Sequence, residues 1–112
     1  MKILVCGGRD FNDYKLVSEA LNPYIHEGLV IVHGAAKGAD SLAMKWAMDN
    51  ATHEAYPADW TKYGKRAGYI RNVQMLNEGK PDLVIAFPGG KGTAMMIKLS
   101  ESAGVPVVKI ND

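Results

Sequence analysis

A chain of 112 residues is long enough to bury one hydrophobic core, and no linker or composition shift divides it, so a single domain over residues 1–112 is expected. With 47% hydrophobic and 22% charged residues it is too apolar for a disordered chain, and no apolar run approaches the roughly 20 residues of a membrane span. A net charge of +1 gives no global field to draw it onto nucleic acid or an anionic bilayer, and the single cysteine, Cys6, excludes an internal disulfide.

The first apolar run stops at Gly7-Gly8-Arg9-Asp10, too soon for a secretory leader, so a cytoplasmic protein is expected. Apolar runs at residues 3–6, 29–32, 83–87 and 107–110 are rich in Val and Ile and are continuous rather than alternating, the pattern of strands buried on both faces. Residues 53–56 form a weaker run, and Glu54 and Pro57 suit it to a sheet edge. Helical spacing occupies residues 14–26, 40–49, 69–76 and 93–103. In the first of these Val17, Ala20, Leu21 and Tyr24 share one face, and Pro23 ends or kinks the helix. The longest irregular connection, residues 57–67, is of a length that in a small domain usually carries function. Strands alternating with helices imply right-handed parallel crossovers. The expected fold is therefore α/β and Rossmann-like: an open parallel sheet of five strands, order 3-2-1-4-5, with helices on both faces.

In such a sheet the loops after strands one, two and four open on one edge, and here those loops are the unusual ones. They read Gly7-Gly8-Arg9-Asp10-Phe11, His33-Gly34-Ala35-Ala36-Lys37-Gly38-Ala39-Asp40 and Pro88-Gly89-Gly90-Lys91-Gly92-Thr93. Glycines let backbone N–H groups approach phosphate oxygens, and a helix that follows adds the positive end of its dipole. Gly7, Gly8, Gly34, Gly38, Gly89, Gly90, Lys91, Gly92 and Thr93 are accordingly the candidate phosphate-binding residues, with Thr93 either capping its helix or touching the phosphate. Neither a Walker A loop nor a G-x-G-x-x-G fingerprint is present, which disfavours an ordinary ATPase or dehydrogenase.

Arg9 follows strand one at the switch point and is a ligand candidate. Arg71 has two readings, a bidentate phosphate contact or a solvated helix face. Asp40 reads as the N-cap of the second helix. Trp60 either stacks on a base or anchors the long loop. His33 is a binding candidate without a partner carboxylate, and Cys6 reads as a buried apolar residue. No ligand cluster has metal-binding spacing, so magnesium would arrive only with a bound phosphate. The helices around residues 42–48 and 95–99 are apolar over more than one face, an excess that suits a homodimer.

Taken in order, the first and second glycine loops, Pro57-Ala58-Asp59-Trp60, Arg71-Asn72-x-x-Met75 and Phe87-Pro88-Gly89-Gly90-x-Gly92-Thr93 resemble the cpYpsA-related branch of the SLOG superfamily over nearly the whole chain. The resemblance implies a Rossmann-like domain that takes a nucleotide or nucleotide derivative. It is similar to the LOG phosphoribohydrolases, which cleave the base from a nucleoside monophosphate and are at least dimeric, and more distantly to the DNA-processing protein DprA. Arg71 and Met75 match the LOG R-x-x-x-M motif, and residues 88–93 match P-G-G-x-G-T. Met96 stands where LOG enzymes place a glutamate, and a thioether cannot act as a general base. What the resemblance implies is thus first a nucleotide-binding or sensor domain, with a phosphoribohydrolase and a single-stranded DNA binder as alternatives. Arg71, Asp10 and Asp59 are the candidates for a catalytic role, with Asp40 a further carboxylate on a neighbouring loop.

Overall fold

The structure, a computed structural model, describes residues 1–111. Five strands, β1 (Lys2–Cys6), β2 (Val30–His33), β3 (Thr52–Ala55), β4 (Leu83–Ala86) and β5 (Val107–Lys109), form one parallel sheet in the order β3-β2-β1-β4-β5. β1 is central, with Ile3 paired to Ile31 of β2 on one side and to Leu83 of β4 on the other.

The continuous apolar strands are explained by two separate cores. Successive side chains leave opposite faces of a strand, so a strand covered on both sides must be apolar at every position. Ile3, Val5, Ile31 and Ile85 pack beneath α1 (Tyr14–Leu21) and α2 (Ala39–Asn50), which contribute Val17, Leu21, Ala43 and Trp46. Leu4, Cys6, Val32 and Val84 face the other way, onto Met75 of α4 (Ala67–Gly79) and Met96 of α5 (Lys91–Ser102). β3 is the exposed edge strand that Glu54 and Pro57 indicate. In α2 the apolar excess divides: Trp46 is buried, whereas Met48 is 72% exposed.

The helix bounds differ from the periodicity in instructive ways. The first helix stops at Leu21 rather than at residue 26, and Asn22–Tyr24, with Pro23 inside it, continues as a single 3-10 turn. Asn22 Oδ1 accepts from Trp46 Nε1 at 2.9 Å and ties this turn to α2. The connection expected to be irregular over residues 57–67 contains a one-turn helix, α3 (Trp60–Tyr63), followed by a 3-10 turn over Gly64–Arg66. Asp59, a catalytic candidate in the sequence, is the N-cap of α3, its carboxylate accepting from Lys62 N at 3.0 Å.

Candidate functional site

α1 and α2 cover one face of the sheet and α4 and α5 the other, so the chain crosses over between the neighbouring strands β1 and β4. Loops leaving such a pair diverge and open a crevice at the carboxyl edge of the sheet. A cleft of about 480 Å³ lies there, walled by residues of all three glycine loops and of α4. A second, of about 360 Å³, adjoins it and shares Arg9, Ala36, Trp60 and Arg71 with the first.

The glycines of the three loops divide into two groups. Gly8 N donates to Pro88 O at 2.9 Å, and Gly8 O accepts from Ala39 N at 3.1 Å, so the loops are bonded to one another. A Cβ on Gly7 would lie 2.5 Å from that of Ala39, one on Gly38 would strike Gly8 O, and one on Gly89 would lie 2.7 Å from Gly8 N. Gly7, Gly8, Gly38 and Gly89 therefore let three backbones touch. Gly90 and Gly92 have open space where their side chains would be, and both line the cleft.

Gly90 is the N-cap of α5 and provides no side-chain cap. The first helical hydrogen bond runs from Ala94 N to Gly90 O at 3.0 Å, so the preceding N–H groups have no partner within the helix. Thr93 is not the cap. It sits one turn in, 8% exposed, on the cleft wall. Lys91 is exposed and is not part of that wall.

On the same cleft, five residues form a connected network. Asp40 Oδ2 accepts from Gly34 N at 2.9 Å and from Ala36 N at 3.4 Å. Gly34 O accepts from Arg71 Nη1 at 2.6 Å, and Arg71 Nε donates to Asn72 Oδ1 at 3.0 Å. Any side chain at Gly34 would collide with the Arg71 guanidinium. Asp40 is thus not the N-cap of α2, a position held by Gly38. It lies inside the helix and holds the second glycine loop in shape. Burial pushes its carboxyl pKa up, against the two amide hydrogen bonds and the charge of Arg71. Arg71 is not on a solvated face: its Nη1 clamps α4 to the loop after β2, and its Nε is held by the neighbouring Asn72 on the same helix. Burial draws its pKa down, opposed by Asp40.

The rim carries cations and aromatic rings. The Arg9 guanidinium lies 5.6 Å from the centre of the Trp60 ring, within cation–π range, and Trp60 is 49% exposed at the mouth. Lys65 and Tyr69, on the 3-10 turn and α4, complete this side. Cys6, Met75 and Met96 form part of the apolar lining, and burial holds the Cys6 thiol up at about 12. Arg9, Lys65 and Arg71 stand on the wall against one carboxylate, Asp40, so the cleft is net positive. Asp10 and Asp59 are not among the residues lining either cleft, although their neighbours Arg9, Ala58 and Trp60 are.

His33 also lies elsewhere. It is 1% exposed, accepts from Ala35 N at 3.1 Å through Nδ1, and is bonded through Nε2 to His53 Nδ1 at 3.0 Å. Its partner is thus a second histidine on β3, a pairing visible only once β2 and β3 are set side by side with Ile31 opposite His53. Asn72, present in the sequence as part of the Arg71-Asn72-x-x-Met75 motif but not as a site candidate, is 5% exposed and lines the cleft.

A protein-family model described as the YspA, cpYpsA-related SLOG family matches residues 1–63, which run from the start of the chain through α3 and include the first two glycine loops. The Gene 61 protein of Mycobacterium phage D29 is 38% identical over 122 residues, covering 99% of this chain and 97% of that protein. The chain belongs to the YspA, cpYpsA-related SLOG family.

Proposed function

We propose that the chain binds a nucleotide or nucleotide-derived small molecule in the cleft between β1 and β4, acting as a binding or sensor domain. The observation that carries this reading is the uncapped N-terminus of α5, which opens into a net-positive cleft through Gly90 and Gly92. Free N–H groups and the helix dipole favour an anion there, and Arg9 and Lys65 lie on the same wall. Trp60 offers the base a ring face at the mouth, where stacking on an aromatic side chain contributes about 1–3 kcal/mol. Magnesium would enter only as the companion of a phosphate.

Cleavage is the weaker reading. Met96 is 2% exposed in the apolar lining, and a thioether there activates no water. A single-stranded DNA groove is weaker still, since of Lys62, Lys65, Arg66 and Arg71 only Lys65 and Arg71 reach the main cleft.

Gly90→Asp separates binding from folding. Aspartate is among the best N-cap residues, and a Cβ at Gly90 meets nothing within 4 Å, so the variant should melt at or slightly above the wild-type temperature. Its own carboxylate would then occupy the anion position. Calorimetric titration with AMP should show binding by the wild type and at least about a tenfold loss in the variant. Unchanged AMP affinity in Gly90→Asp would refute the placement of phosphate at α5.

A further inference from the structure

Two polar side chains on the cleft wall are almost wholly enclosed, yet each keeps one polar atom without a hydrogen-bond partner among the described residues. Asp40, 7% exposed, spends Oδ2 on the amides of Gly34 and Ala36, and its Oδ1 has no partner. Asn72, 5% exposed, turns Oδ1 to Arg71 Nε, which fixes the amide orientation and leaves Nδ2 free to donate. Neither free atom is sealed inside the protein, and both residues line the same cleft. Both atoms open only onto the cleft, from side chains otherwise held in place by the protein, so they are preset for a partner that enters there.

The two atoms have complementary needs, one acceptor and one donor. The carboxylate disfavours a phosphate at this position, while Arg71, whose charge acts on Asp40, disfavours an ammonium. A neutral group carrying both a hydroxyl hydrogen and a hydroxyl oxygen fits both. We propose that Asp40 and Asn72 form a sugar subsite that takes the vicinal 2′,3′-diol of a ribose: Oδ1 accepts from one hydroxyl and Nδ2 donates to the oxygen of the other. The inference rests on the nucleotide reading above and deepens it, because it makes the ligand a ribonucleotide. The phosphate lies at α5, and the network of Gly34 and Arg71 positions the pair that reads the sugar.

The test compares AMP with 2′-deoxy-AMP by titration calorimetry on the wild type, Asp40→Asn and Asn72→Asp. Asp40→Asn keeps an oxygen for the Gly34 and Ala36 amides but turns a donor towards the cleft. Asn72→Asp keeps an acceptor for Arg71 Nε but removes the donor. The wild type should prefer AMP by about ten- to a hundredfold, the range of a hydrogen bond to a charged group, and the variant at the residue that holds the 2′-hydroxyl should bring that preference to within about twofold. Thermal melting of both variants checks that they fold. Equal binding of the two nucleotides by the wild type overturns the subsite while leaving nucleotide binding intact. A preference that survives in both variants also overturns it. Failure of the wild type to bind either nucleotide removes the nucleotide reading, and the subsite with it.

Discussion

Gly38→Ala is expected to lower the unfolding free energy by about 2–5 kcal/mol and the melting temperature by about 10–25 °C. Gly38 has φ +78 and ψ −126, the mirror image of the β region, which costs a residue with a Cβ about 1–3 kcal/mol. A Cβ there would also press on Gly8 O and lie 2.6 Å from Arg9 O, an overpacking that adds about 1–3 kcal/mol. The contact matters for the site as well as for stability, because relieving it pushes the first glycine loop away from α2 and so moves Arg9. Gly104→Ala supplies the comparison. Gly104 has φ +77 but open space around the missing side chain, so its loss should be about 1 kcal/mol, the strain alone. Urea or thermal denaturation of the two variants measures both numbers, and equal losses would show that the loops do not press on one another at Gly38.

Acid should destabilise the fold through His33. Burial, and secondly the neighbouring His53, lower the His33 pKa from 6.5 to about 4. The unfolded chain therefore binds a proton over pH 4–6.5 that the folded chain refuses, and stability falls as pH falls through that window. At about 1.4 kcal/mol per pKa unit the full effect is about 3 kcal/mol, present above pH 6.5 and lost towards pH 4. Asp40 acts in the opposite sense. Its raised pKa lets the folded state take up a proton more readily than the unfolded state, which softens the decline at the acid end. His33→Gln isolates the histidine contribution. The variant should be less stable than the wild type at pH 7.5 and should draw level with it near pH 4.5. A stability gap that stays constant between these pH values would show that His33 does not titrate as described.

The sheet was legible because its three central strands, β1, β2 and β4, are buried on both faces, while the edge strands β3 and β5 are exposed. Runs such as Leu83–Ala86 have no polar position to confuse with an amphipathic helix, and their alternation with helical segments left one parallel topology. α3 was not legible: four residues show no period, and its one signal, Asp59 ahead of Trp60, read equally well as a loop carboxylate. Asp40 was misplaced for a related reason. An aspartate after glycine and ahead of an apolar run looks like an N-cap, but the N-cap is Gly38, two residues earlier, which leaves Asp40 in the first turn bonded back to Gly34. The glycines read in the sequence as room for a phosphate, whereas most of the close approach at them is between loops. Only tertiary contact separates Gly38, pressed on Gly8 O, from Gly90, open to the cleft. The pairing of His33 with His53 depends on side chains that meet across β2 and β3, and spacing along the chain carries no trace of it.

The most direct test of the central claim is the ¹H–¹⁵N spectrum of the uniformly labelled protein during titration with AMP. The account predicts that the largest shifts fall on the amides of Gly90, Gly92 and Thr93 and on the Trp60 indole, with smaller ones at Gly34. Shifts confined to the outer surface of α1, around Lys15 and Glu19, or no shifts at millimolar AMP, would contradict it.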